Sequence, residues 1–403
     1  MKILVLNCGS SSIKYQLLDM SGVLDMSGEP RVMAKGLLER IGLPMGEFTH
    51  RYGEQKHYEQ RPIATHIEGI QLVMQTLTDR RLGVIDELGE IGAVGHRMAH
   101  GGEAFQESVR ITPEVIATVR ELMPLAPIHL SGNIAGVEAM QAVLPHVPQV
   151  AVFDNAFHHT LSPANYLYGL PYEYYERYGV RRFGFHGTSH LYVCQKGARM
   201  IGRDWRELKI ISCHLGSGAS VAAVAFGRSV DTSLGMTSQA GLMMGSRPGD
   251  VDPGAILYLM EKTGLSTEEM NNMLNKKCGL LGICGRQDMR DVYAGKLEGD
   301  ERCTIAYDMF SMRVKRFIGA YIAEMGGCDL LVFTGGIGEN AWHMRHSILE
   351  NMESLGIEVN MALNDATQGC DAVLSTPSSP IATVVATTDE ERVIATDTLR
   401  LVS

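Results

Sequence analysis

The chain has 403 residues, 45% hydrophobic and 20% charged, with a formal net charge of -10. That length implies two domains rather than one core, and the balance is that of a soluble globular protein. The acidic charge argues against a nucleic-acid surface, and no stretch approaches the roughly 20 apolar residues of a membrane span.

The chain opens Lys2-Ile-Leu-Val-Leu-Asn-Cys-Gly-Ser-Ser-Ser-Ile-Lys14, an apolar run that turns polar too soon for a signal peptide. It reads instead as strand, Gly/Ser turn, strand. The polar stretch from Gly42 to Arg61 has no helical period and leaves further strands or a surface loop open. Ile67, Ile70, Val73, Met74 and Leu77 then recur at helical spacing. Ile91–Gly95 is a buried-strand candidate leading to His96-Arg97. Thr112 before Pro113 marks a helix start. Ser131 is the expected cap of the next helix, with Ile134, Val137, Met140 and Leu144 as its apolar face and Pro145 as its stop. Val150–Phe153 is a strand leading to Asp154.

The second half repeats the style. Lys209-Ile-Ile-Ser-Cys-His-Leu-Gly-Ser-Gly-Ala-Ser-Val221 is a near twin of the opening. Asp252-Pro253 opens a helix that Gly264 closes, and Ser266 with Glu269 forms a capping box for the next. Phe310, Val314, Phe317, Ile318, Tyr321, Ile322 and Met325 share one helical face. The strand Leu330–Phe333 feeds a Gly-rich loop, Thr334–Asn340, and one helix is expected from Trp342 to Leu355. Val384-Val385 is a strand candidate, and Thr388 with Glu391 is the expected capping box of a final helix.

The alternation of strands and helices indicates α/β architecture. The twin segments suggest a duplicated fold with a phosphate loop in each half. A Gly/Ser turn leaves several backbone N–H groups unpaired and lets the chain approach a polyphosphate closely. His96-Arg97, Asp154, His214 and the loop after Phe333 all follow strand candidates, where ligands of open α/β sheets sit. Together they suggest a cleft between the halves. No Walker A pattern occurs, and Gly335-Gly-Ile-Gly338 lacks the dinucleotide spacing. Arg247, between glycines, is a candidate phosphate clamp. His186 and His190 are a candidate metal pair without an evident third ligand, and Cys278 and Cys284 are close but complete no metal pattern. The eight cysteines lack paired spacing and read as thiols of a cytoplasmic protein.

Several long motifs, in order, carry a family resemblance. They are Asn7–Lys14, Gly95–Glu103, Phe153–His158, Gly184–His190, His214–Gly218, Asp231–Ser233 and Phe333–Asn340. With them the chain resembles the acetate/propionate kinase family, within the sugar-kinase, heat-shock-cognate and actin superfamily. The resemblance covers nearly the whole chain. It implies a duplicated actin-like (ribonuclease H-like) two-domain fold with an interdomain cleft. Its domains would be residues 1–155 plus 388–403, and 156–387. It implies phosphoryl transfer from ATP to a short carboxylate, reversible to ADP, with Mg2+ or Mn2+, in a cytoplasmic homodimer. No nucleic acid or membrane partner is expected.

Carried over residue by residue, Arg97 and Arg247 would flank the transferring phosphoryl group, His186 would hydrogen-bond it, and Asp154 would be the essential carboxylate. Asn7, Lys14, His129 and His214 would lie near the phosphates, and Asn7 and Glu390 near the metal. Lys14, His214, Leu215, Gly216, Ser217 and Gly218 would hold ATP, with Asp288, Met289, Arg290, Gly336, Ile337, Gly338 and Asn340. Arg97, Ala99, Ile128, Phe185 and Ser238 would line the acyl pocket. A carboxylate acceptor is already ionised at pH 7, so charge repulsion rather than proton removal is the problem to solve. Asp154 then orients an arginine or the metal shell.

The chain departs from the family in places. Ser217 and Asp389 stand where Asn is usual, Met289 where an aromatic is, and the segment Gly285–Asp288 is one residue short. Ala99 stands where acetate-preferring members often carry Val, and Ser238 where Pro is usual. The smaller Ala99 makes propionate an alternative acceptor. A sugar or polyol kinase, with Asp154 as base, and a nucleotide-gated binding protein are further alternatives. The former leaves the arginine pair harder to explain. The latter appends a peptide-binding domain, for which no room is expected after the final helix.

Overall fold

The computed structural model describes residues 1–23 and 28–403. They fall into two compact units, residues 1–156 with 389–403, and residues 157–388.

Unit 1 is built on β1 (Lys2–Cys8), β2 (Ser12–Asp19), β3 (Arg31–Glu39), β4 (Gly46–Tyr52), β5 (Gln55–Arg61), β6 (Ile91–Met98), β7 (Val109–Arg110) and β8 (Gln149–Phe153). The sheet order is β5-β4-β3-β2-β1-β6-β8-β7. β1 pairs antiparallel with β2 and parallel with β6, which pairs parallel with β8. β1 is apolar from Ile3 to Leu6 because both its faces are covered there. Leu4 and Leu6 pack with α1 (His66–Leu77) and α3 (Pro127–Val143), whereas Ile3 and Val5 pack with the C-terminal helix Glu390–Val402. α2 (Pro113–Glu121) is capped by Thr112, whose hydroxyl accepts from the Val115 N–H. The polar stretch from Gly42 to Arg61 proves to hold the β4–β5 hairpin.

Unit 2 contains β9 (Lys209–Leu215), β10 (Ala219–Ala225), β11 (Arg228–Thr232), β12 (Leu330–Thr334), β13 (Ala372–Val373) and β14 (Ala382–Val385), in the order β11-β10-β9-β12-β14-β13. Its helices include α4 (Gly187–Met200), α5 (Pro253–Thr263), α6 (Thr267–Lys276), α7 (Met289–Leu297), α8 (Glu301–Met325), α9 (Gly335–Asn340) and α10 (Trp342–Leu349). Phe310, Val314, Ile318 and Tyr321 of α8 cover one sheet face. α4 approaches β12 and β14 at Gly197, where a Cβ would lie 3.1 Å from Val332.

The units share a five-strand core. β3-β2-β1-β6-β8 and β11-β10-β9-β12-β14 have the same order and the same two antiparallel then two parallel pairings. This is the duplicated actin-like α/β fold that the resemblance implies.

Four local expectations need correction. Ser131 lies inside α3, which begins at Pro127, because Pro at the first helical position and the buried Leu130 carry the helix back a turn. The final helix is capped by Asp389, whose side chain accepts from the Arg392 N–H, while Glu391 is drawn to Lys14 instead. The segment from Trp342 stops as a helix at Leu349. Asn351 takes a φ of 59°, and a separate 3-10 turn, Glu353–Leu355, follows. Thr334–Asn340 is no open loop: Gly335–Asn340 is helical, with its first N–H capped by Glu339.

Candidate active site

Unit 1 gathers charges at the carboxyl ends of β1, β6 and β8 and at the start of the C-terminal helix. Arg97 Nη2 donates to Asp154 Oδ2 at 2.8 Å, and Arg97 Nε lies 3.9 Å from Glu390 Oε2. The Asp154 side chain is 1% exposed, and its charge-assisted bond to Arg97 offsets part of the cost of burying a carboxylate. Asp154 in turn raises the Arg97 pKa above its ordinary value. Lys14 Nζ lies 2.5 Å from Glu391 Oε1. Burial works against the Lys14 ammonium, but Glu391, Glu390 and Asp389 outweigh it and raise its pKa. Burial pushes Glu390 up to about 7, and Asp154 and Glu391 add to the shift against Arg97.

Asp154, Asp389, Glu390 and Glu391 thus face Arg97 and Lys14, so carboxylates outnumber cations. An added divalent cation would offset that excess of carboxylate charge. Among the described residues no three His, Cys, Asp or Glu side chains form a metal cage. Such a site suits Mg2+, which keeps several waters and takes one or two protein carboxylates plus substrate phosphates. Asn7 lies near the end of β1 and Glu390 at the start of the C-terminal helix, and both are residues that the resemblance implies for the metal.

Around this cluster the backbone is held closely. Asn133 of α3 accepts from the Ala99 N–H at 2.8 Å and donates to the Cys8 carbonyl at 2.7 Å. Gly132 beside it presses on the first Gly/Ser turn, and a Cβ there would lie 2.5 Å from the Gly9 carbonyl. His129 is exposed on the same helix, and the side chain of Ile128 lies outside the described residues. His96 points away from the charges, buried against Gln149 Oε1 at 2.7 Å.

Unit 2 gathers hydrogen-bond donors instead. The turn Gly216–Gly218 joins β9 to β10 and is closed by the Gly216 N–H on the Gly218 carbonyl at 3.0 Å. A Cβ on Gly218 would lie 3.4 Å from Arg247 Nη2 and 3.5 Å from His186 Nε2, so turn, guanidinium and imidazole converge on one spot. Arg247 Nη1 donates to the Ser238 carbonyl at 2.7 Å. Burial lowers the Arg247 pKa, and no described carboxylate pairs with it. A half-buried guanidinium without a counter-ion suits an incoming anion. His186 sits at the start of α4 with a left-handed φ of 57°, a strained position for a side-chain-bearing residue. Its Nδ1 shares the Ser220 hydroxyl with His190 Nε2, each at 2.8 Å. Its ring stacks on His214 at 4.4 Å.

Beside this spot lies a cavity of about 860 Å³, within the size range of ligand pockets. Gly216, Ser217, Asp288, Met289, Arg290, Gly336, Ile337 and Asn340 line it, as expected of nucleotide residues. Leu215 and Gly338 are buried behind it. Arg290 spends its guanidinium on Asp288, with bonds of 2.9 and 2.6 Å.

Gly245, Leu280, Gln287, Asp291, Ala341, His343 and Gln368 also line the cavity and escaped the sequence reading. Gly245 had a signal in its place beside Arg247. Leu280 and Gln368 belong to no motif. His343 stacks on Tyr293 at 3.5 Å, a pairing only tertiary structure makes.

Several other polar side chains of this unit are structural. Arg181 stacks on Tyr166, with its guanidinium 3.7 Å from the ring centre, and Arg182 faces Asp231 at 3.7 Å. Ser233 accepts from the Val221 N–H to hold the β10 hairpin. His190 is not a metal ligand here but bonds Ser212 and Ser220. All eight cysteines are free thiols. Among the described residues no helix is long and apolar enough to cross a membrane.

Comparison with known proteins completes the description. The acetokinase family model matches residues 2–396. An acetate kinase of Thermotoga maritima is 47% identical over 405 residues, covering 100% of this chain and 99% of its own. The crystal structure of Porphyromonas gingivalis acetate kinase superposes with a TM-score of 0.95 at 44% identity, covering 100% of both chains. That of a propionate kinase from Francisella tularensis gives 0.91 at 36% identity, covering 99% of both.

Proposed function

The chain belongs to the acetokinase family, and from that premise we propose that it transfers the γ-phosphoryl group of ATP reversibly to acetate, giving acetyl phosphate and ADP. The observation that carries this reading is the convergence of Gly218, His186 and the unpaired Arg247 beside a cavity of about 860 Å³.

The acceptor needs no base, because acetate is ionised at neutral pH. A carboxylate oxygen attacks the γ-phosphorus, the bond to the β-phosphate bridging oxygen breaks, and ADP leaves with that electron pair. The obstacle is repulsion between two anions. Arg247 neutralises the equatorial oxygens of the moving phosphoryl group and His186 donates a hydrogen bond to it, while Arg97 is the second guanidinium that the resemblance implies for this step. Asp154 holds Arg97 in place by the 2.8 Å contact and takes no proton. Mg2+, held through Glu390 and Asn7, would neutralise charge on the donor phosphates. His214, Gly216, Ser217 and Gly218 receive the phosphates, the cavity receives the nucleoside, and Lys14 and His129 are further phosphate-side residues that the resemblance implies. Ala99, Ile128, Phe185 and Ser238 are the acyl-pocket residues.

Propionate is the second reading, because Ala99 leaves room for about one more methylene than Val would, worth about 1–3 kcal/mol. A homodimer is the proposed assembly. α5 supports it: none of its residues is buried, and Leu257, Tyr258 and Leu259 are 68%, 59% and 40% exposed. An apolar helix exposed all round asks for a cover, and light scattering after size-exclusion chromatography tests it. The eight free thiols support a cytoplasmic location.

A hydroxylamine-trapping assay with Mg-ATP tests the reaction. Acetyl hydroxamate in excess over the propionyl product supports the first reading, and the reverse excess supports the second. ADP release stimulated by a sugar, with neither hydroxamate formed, overturns both.

A further inference from the structure

Glu339 does more than cap a helix. Its Oε1 accepts from the Thr334 hydroxyl at 3.1 Å and from the Gly335 N–H at 3.0 Å. These bonds fix the start of α9, whose Gly336, Ile337 and Asn340 line the nucleotide cavity. The same oxygen accepts from the Thr388 N–H at 3.0 Å, 49 residues further along. Capping α9 does not require that third bond.

Thr388 is the last residue of unit 2, and the chain runs on directly into Asp389, Glu390 and Glu391 of the unit 1 cluster. Its hydroxyl lies 2.9 Å from Ser189 Oγ, which lies 2.7 Å from His214 Nδ1. His214 stacks on His186. The preceding residue is gripped too. Asp371 Oδ1 accepts from the Thr387 N–H at 2.8 Å and from its hydroxyl at 2.9 Å. Lys196 Nζ donates to the Thr387 carbonyl at 3.0 Å and pairs with Asp371 Oδ2 at 2.9 Å. A loose linker between domains would leave such backbone groups to water. Here side chains satisfy them, which fixes the segment.

We propose that Glu339 is a positioning residue for phosphoryl transfer. One carboxylate locks the cavity helix α9 to Thr388 and, through the Thr388 hydroxyl and Ser189, to His214 of the phosphate turn. The inference rests on the reading given under Proposed function. It adds a link from the nucleotide cavity to the phosphate-contacting imidazoles and to the segment that delivers Glu390.

The test uses full-length E339A, E339Q, T388V and the double variant E339A/T388V, with kcat, KM for ATP, ADP affinity by calorimetry and urea midpoints. E339A should lower kcat about tenfold and raise KM for ATP, and E339Q should recover most of both, because the Gln amide oxygen accepts the same N–H donors. T388V keeps its N–H on Glu339 and loses only the hydroxyl. It should lower kcat and leave ADP affinity as in the wild type. If the two residues form one path, the double variant should be no slower than E339A. Multiplied losses in the double variant would overturn the proposal. So would unchanged kinetics in E339A, or a lower urea midpoint with wild-type kcat and KM. A wild type that binds ADP but makes no acyl phosphate would instead sink the functional reading. ADP affinity would then still test the clamp: E339A must bind ADP more weakly than the wild type.

Discussion

The two Gly/Ser hairpins begin with nearly the same sequence and end in opposite surroundings. β1–β2 opens onto Arg97 and Lys14 among Asp154, Asp389, Glu390 and Glu391, with every cation ion-paired. β9–β10 opens onto imidazoles, hydroxyls and Arg247, which has no described carboxylate partner. The same backbone device thus serves two purposes. In unit 1 carboxylates are in excess, which would suit a cation, and in unit 2 donors are, which would suit the phosphate of the proposed reaction. What a phosphate turn does depends on the side chains that the neighbouring strand ends deliver to it.

Removing each arginine separates those purposes most sharply. Arg97→Ala and Arg247→Ala should each lower kcat by about a thousandfold or more, the scale of losing a guanidinium from a phosphoryl-transfer site. Their stabilities should differ. Arg97→Ala strands Asp154, 1% exposed, without its cation, and should lower unfolding free energy by about 3 kcal/mol, the low end for a broken buried pair. Arg247→Ala strands no carboxylate and should unfold near the wild-type urea midpoint. Equal destabilisation would erase the contrast between the units.

Asp154→Asn probes the same side more gently. It keeps the shape and loses the charge that orients Arg97, so kcat should fall about a hundredfold, with little change in KM for acetate. Near-normal turnover would remove Asp154 from the mechanism. A pH–rate profile in which the acidic limb vanishes would make it a proton acceptor after all.

Much of this contrast could be read from the sequence, and the reasons are physical. β1 and β9 are visible because strands covered on both faces are apolar without interruption. Arg97 and Asp154 stood out by following such strands. Asp389–Glu391 came only through family resemblance, since three acidic residues before an amphipathic helix are also an ordinary helix start. The helix Gly335–Asn340 was hidden because its stability is tertiary. Its residues are poor helix formers, and Glu339 and the buried Arg345, donating to the Gly338 carbonyl at 2.8 Å, hold it. The cavity wall was hidden for a related reason. Gly245, Leu280, His343 and Gln368 come from four separate segments, and no local pattern marks residues that only folding brings together.

Acidic pH offers a third test, directed at the core of unit 1. His96 and His100 are both buried and held down at about 4 by burial, against 6.5 for a free imidazole. The native state therefore binds fewer protons than the unfolded chain between those values. Stability is full above pH 6.5 and falls as pH drops toward 4, by about 2 kcal/mol per histidine at pH 5. Glu390 of unit 1, at about 7, runs the other way and offsets part of this loss without matching the two histidines, and in unit 2 so does Asp231. Burial pushes it up to about 6, so the penalty of ionising it is present above that pH and relieved below. Urea unfolding at pH 7.5 and pH 5, with tryptophan fluorescence at Trp205 and Trp342 reporting unit 2 and far-ultraviolet dichroism the whole chain, should show the dichroic midpoint falling further. Coincident, pH-independent midpoints would remove the assignment of His96 and His100.

The smallest expected effect concerns the acyl pocket. Ala99 is 4% exposed, and its N–H is fixed by Asn133, so a larger side chain there cannot swing the backbone away. Ala99→Val adds two methyl carbons at a position held on one side by α3. The ratio of kcat/KM for propionate to that for acetate should fall about tenfold, within the range for one methylene in a pocket. The acetate value itself should change little, since the smaller acid never used that space. A ratio that stays put would move the specificity to Phe185 or Ser238, which belong to unit 2. The acceptor's length would then be read beside the donor-rich turn rather than beside the acidic cluster.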